Sequence, residues 1–200
     1  MGFAATCLRE VGREVGQYAS KADETEQVII QHSCIAGAAG LVPIPGVDTV
    51  ICLGNQIALY GRLNTILGVS LAKNTLKVIG GFMASQVTGM LSVFGFALAG
   101  KVAGGLLKCI PGLGTIGGVA VDCAINAGVT YVLGVVYVKA MVRIFKAGKP
   151  VTEESLKEAL RTEFADEEGL KDIYREGREK MKHTNFASYK DEAEKYKDGV

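Results

Sequence analysis

A phosphate cradle is the first chemistry the sequence invites. Gly95-Phe-Ala-Leu-Ala-Gly100-Lys101 has the G-x-x-x-x-G-K spacing of a nucleotide-binding loop, but Val102 stands where a Ser or Thr must reach Mg²⁺. The stretch also closes a long uncharged run instead of following a strand, so phosphate binding is not expected there. Hydrolytic chemistry fares no better. The only histidines are His32 and His183, and neither sits in the nucleophile-elbow context that Ser-His-Asp chemistry uses. The five cysteines (Cys7, Cys34, Cys52, Cys109, Cys123) are scattered through apolar runs, without the close pairs of a zinc site or disulfide framework. They read as buried thiols in a reducing compartment. The expectation is a non-enzymatic chain with no cofactor, no metal and no small-molecule substrate.

What remains is polarity placed inside apolar sequence. Asp48 follows a Pro-Gly turn, where a carboxylate suits the N-cap of a helix. Asp122 lies among Val, Ala and Ile, where a charge must be paired or reach water. Lys101, Lys108 or Arg62 are its candidate partners, and an ion or proton path is the functional alternative. Asn55, Gln56, Arg62 and Asn126 are expected to line a polar seam between helices, or a pore.

Charge divides the 200 residues into three parts. Residues 1–27 hold three basic and five acidic residues, residues 28–146 eight and two, and residues 147–200 eleven and 14. The whole carries only +1, so a basic pull toward nucleic acid is not expected. The middle part also holds 19 of the 26 glycines, and mean hydropathy is +0.24. The domain reading is an amphipathic helix over 1–27, an apolar domain over 28–146 and a charged tail over 147–200. No secretory signal is expected, because Arg9, Glu10, Arg13 and Glu14 interrupt the first residues. Gly2 and Cys7 fit a loose lipidation pattern, which bulky Phe3 disfavours.

Periodicity supplies the elements. Cys7, Leu8, Val11, Val15 and Tyr18 recur at helical steps. Val28 to Val42 is nearly uncharged and stops at Pro43 and Pro45-Gly46. A further helix is predicted from Asp48 or Thr49 to Leu67, with a break near Lys73, Asn74 and Lys77. Val78 to Gly100 then gives 23 uncharged residues, the length needed to cross a bilayer core. A second turn, Pro111-Gly112-Leu113-Gly114, precedes an apolar run to Ile144. In the tail, Thr152 is a candidate N-cap, Leu156, Leu160 and Phe164 form a stripe, and Leu170, Ile173 and Tyr174 begin another short helix. Beyond Met181 a frayed or extended helix is expected. Strand signals are absent, so the fold class is all-α: a Gly-rich bundle of two apolar hairpins, about 28–72 and 78–146, with amphipathic helices at both ends.

A shift of 66 residues lays Pro45-Gly46 on Pro111-Gly112, Thr49 on Thr115, Ala58 on Ala124 and Gly68 on Gly134, an echo of one hairpin in the other. Small residues at Gly100/Gly104, Gly114/Gly118 and Ala124/Gly128 favour close helix packing and self-association. Leu41-Val-Pro-Ile-Pro-Gly-Val-Asp48 with Gln56 and Tyr60-Gly61, then Leu107-Lys108-Cys-Ile-Pro-Gly-Leu-Gly114 and Leu133-Gly134, is a recognisable set. Over residues 28–146 the chain resembles the YcjF-related domain of unknown function, found C-terminal to Era-like GTPases and in bacterial inner-membrane proteins. The resemblance implies a hydrophobic, membrane-associated module without catalytic residues, working with a GTPase that this sequence would meet in trans.

Three functions follow as expectations. The first is a scaffold or partner-binding module in the inner or cytoplasmic membrane, with both termini on the cytoplasmic side. The second is a pore-forming, toxin-like effector in which Asp122 takes part. The third is a water-soluble bundle with Val78–Gly100 as its enclosed central helix.

Overall fold

The computed structural model describes residues 2–15, 18–42, 47–93 and 119–198. Both Pro-Gly turns (Pro43, Pro45 and Gly46; Pro111, Gly112 and Gly114) lie outside the described residues, as do the Gly100/Gly104 and Gly114/Gly118 pairs. The described chain is all-α: α1 Phe3–Val15, α2 Ala22–Ala39, α3 Val47–Leu67, α4 Lys73–Val93, α5 Val119–Lys146, α6 Glu153–Phe164, α7 Glu167–Met181 and α8 Lys190–Glu194.

Helix ends follow local chemistry. Thr152 caps α6 as expected: its Oγ1 accepts the Ser155 N–H at 3.2 Å, and Ser155 Oγ accepts the Thr152 N–H at 2.9 Å. Asp166 caps α7 by accepting from the Gly169 N–H at 3.0 Å. Gly68 (φ 72°) and Gly148 (φ 61°) stop α3 and α5 in a left-handed conformation. The chain past each then folds back, with Val69 N–H donating to Asn64 O and Lys149 N–H to Ile144 O.

The described part of Val78–Gly100, within α4, is not the centre of the bundle; α5 is. Its main partner is α2 instead of α4, and α1, α6 and α7 pack around the rest. The reason is steric. Gly134 of α5 brings the helix so close to Ile29 that an added Cβ would stand 2.9 Å from Ile29 Cγ2. α4 packs instead against α3, α6 and α7, burying Ile79, Met83, Val87 and Met90. One apolar core runs from Ala4 to Met181 and so takes residues from all three charge-defined parts. Tyr18 stacks on Phe145 at 4.8 Å, fixing the chain between α1 and α2 to the end of α5.

The end of the chain departs from a frayed helix. Asn185 caps a single 3-10 turn, Phe186–Tyr189, and α8 follows with Ala193 fully buried. This segment packs on α2, giving it an apolar anchor that the Lys- and Glu-rich sequence hides.

Candidate functional site

The polar residues of α3 divide between two faces. Toward α2, Asn55 and His32 are buried and exchange hydrogen bonds. His32 Nδ1 stands 2.7 Å from Asn55 Oδ1, and Asn55 Nδ2 donates to the His32 carbonyl at 2.8 Å. An amide oxygen only accepts, so Nδ1 carries the proton and Nε2 is a bare acceptor. Two turns on, Arg62 donates to Gln31 Oε1 at 2.8 Å and faces His32 Nε2 at 3.4 Å. Burial holds the imidazole below its ordinary value of 6.5; the Asn55 bond opposes this and the Arg62 charge adds to it. The neutral ring is therefore the folded form. Arg62, one candidate partner of Asp122, is committed to α2.

Toward α5 stand Gln56, Tyr60 and Asn64, one helical turn apart. Tyr60 stacks on Tyr137 at 4.7 Å, and the Tyr137 hydroxyl donates to Asn64 Oδ1 at 2.7 Å. This face is unmatched. Gln56 Oε1, the Tyr60 hydroxyl and Asn64 Nδ2 are enclosed without a hydrogen-bond partner among the described residues, and so is Asn126 Nδ2 on α5. Burial pushes the Tyr60 phenol far above its usual range. Asp48 is fully buried in the first turn of α3, where the helix dipole favours a carboxylate. Asp122 falls on α5, and its side chain lies outside the described residues.

The structure brings Asn55 and Arg62 together around His32. Gln56 falls about 100° round α3 from Asn55, on the side of Tyr60 and Asn64, and Asn126 lies in the first half of α5, so the expected seam is two seams.

Two polar clusters escaped the sequence reading. Glu163 of α6, only 4% exposed, accepts from Arg143 Nε at 2.9 Å and Nη2 at 2.7 Å, while Lys139 Nζ lies 2.8 Å from its other oxygen. Its signal was a glutamate beside the Leu156–Leu160–Phe164 stripe and two α5 cations four residues apart. In the second cluster, the Tyr131 hydroxyl lies 2.7 Å from Glu26 Oε1 and also within reach of Glu176 Oε1. Lys180 Nζ is 3.2 Å from Glu26 Oε1, and the Phe3 N–H donates to Glu176 at 3.3 Å. Both clusters tie the charged helices onto α5 and α2.

Burial raises the Cys7 and Cys34 thiols, which disfavours the reactive thiolate. Among the described residues no three His, Cys, Asp or Glu side chains converge as a metal site. Set against known protein families, curated proteins and solved structures, the chain matches none.

Proposed function

We propose that the chain is a non-enzymatic helical module that associates with a membrane and binds a protein partner. The observation that carries this reading is α4. One face is packed on the bundle, while Val78 on it is 43% exposed and Gly81, Ser85 and Gly89 face outward. From Val78 to Gly118 the sequence contains two charges, Lys101 and Lys108, and no acidic residue. This outer face opens with exposed Lys73 and Lys77 and carries no charge after them, an uncharged stretch that is unusual on a helix facing water. Against lipid, small residues allow close helix contact and the lysines suit anionic headgroups.

α5 is long and apolar enough to cross a bilayer, but 94% of its apolar window is buried inside the bundle. In this fold α5 is the core, and lipid contact falls to the outer face of α4. The Phe3–Glu176 bond supports both ends lying on one side of the membrane, the cytoplasmic side of an inner or cytoplasmic membrane. The resemblance over 28–146 adds a GTPase in trans, or a second copy of the chain, as the partner.

Flotation of the full chain with anionic vesicles, followed by an alkaline carbonate wash, tests the reading. Co-flotation is expected. Protein left at the bottom of the gradient in both anionic and neutral vesicles would overturn it. The pore-forming reading draws on a different observation, the enclosure of the span-length α5 by charged α6 and α7. It requires dye leakage that changes in Asp122→Asn, and bound protein without leakage would exclude it.

A further inference from the structure

A cavity of about 760 Å³ opens where the end of α2, the start of α5 and the end of α7 meet. Leu41, Cys123, Ala124, Met181 and Phe186 give it an apolar lining. Its volume lies in the range of small-molecule sites, far above what packing defects leave. The charges at its edge are unequal. Lys182 Nζ is 3.6 Å from Glu179 Oε2, so those two offset each other. Arg178, on the same edge, makes no ion pair among the described residues and adds a guanidinium beside the apolar hollow.

We propose that this cavity binds a single-chain anionic amphiphile, its alkyl tail in the hollow and its carboxylate or phosphate at Arg178. Burying an alkyl chain removes apolar surface from water on both sides, and a planar guanidinium at the mouth meets the headgroup with two parallel N–H donors. The headgroup stays half in water, so no bare charge is buried. A cationic amphiphile would meet Arg178 with like charge, and a short anion would lack the tail. The site rests on and deepens the membrane reading, because a lipid is itself an anionic amphiphile. The free ligand and the lipid-borne one share this chemistry.

The test uses dodecanoate, below its micelle concentration, titrated into the full chain by calorimetry, with dodecyltrimethylammonium and acetate as comparisons. Saturable one-to-one binding of dodecanoate is expected, at least tenfold tighter than either comparison. Arg178→Leu, at an exposed position, should weaken dodecanoate at least tenfold. Ala124→Trp, also exposed, should abolish binding by filling the hollow, with the circular dichroism melt of both variants showing them folded. Absent or equal binding of the two dodecyl compounds overturns the site, and so does undiminished binding by folded Ala124→Trp. Flotation run beside it separates the two proposals: a chain that binds dodecanoate but does not float retains the site and loses the membrane reading. The converse loses the site alone.

Discussion

The two polar faces of α3 contain similar side chains and reach opposite outcomes. Toward α2, Asn55 gives and receives, so His32 and Asn55 leave no buried dipole unmatched between them. Toward α5, Gln56, Tyr60 and Asn64 contribute a ring stack and one hydrogen bond, and three polar atoms go unanswered among the described residues. The difference lies in partner count and not in polarity. A buried amide stabilises only where the opposite helix supplies complementary groups at the same level, and otherwise it subtracts from the packing around it.

Three measurements break or sharpen this contrast. The largest effect is expected for Asn55→Leu, which leaves the His32 Nδ1–H buried and unmatched and removes the second donor to its carbonyl, which keeps its bond within α2. A loss of about 1–3 kcal/mol in urea unfolding is expected; a loss below about 0.5 kcal/mol would erase the distinction between the faces. Next comes pH. The folded His32 value is lowered, so the unfolded chain binds its proton first as pH falls. Stability is therefore complete above 6.5 and declines below it, by up to about 1.4 kcal/mol per pH unit, until the folded ring protonates. His32→Gln should flatten that slope, and an unchanged slope would assign it to other groups. The smallest effect has the opposite sign. Tyr60→Phe keeps the ring on Tyr137 and removes an enclosed hydroxyl unmatched among the described residues, so stability in urea unfolding should stay level or rise, by about 1 kcal/mol at most. A clear drop would show that the hydroxyl has a partner.

The helix ends were the legible part of the fold. Thr152 and the start near Asp48 could be read because caps and turns are local chemistry. The identity of the central helix was not. Counting charges favoured Val78–Gly100 over the run ending at Ile144, since the latter carries Asp122, Lys139 and Arg143. Lys139 and Arg143 lose their penalty only when Glu163 arrives from α6, a contact that sequence periodicity does not encode. Likewise, His32 looked idle until α3 brought Asn55 across from 23 positions away. Gln56 and Asn126, expected to line a polar seam or a pore, are both buried, and which face each joins depends on helix rotation against neighbours.

The enclosure of α5 also has a consequence for synthesis. The helices that cover it, α6 and α7, are encoded after it, and roughly 35 residues separate the end of α5 from the end of α7. At ordinary translation rates the ribosome needs about 2–7 s to make them. During that interval a span-length apolar helix has α1 and α2 beside it but not its charged cover. The window in which nascent α5 lacks its charged cover is thus set by gene order. Swapping the order of these helices by circular permutation would close that window while leaving the finished fold the same.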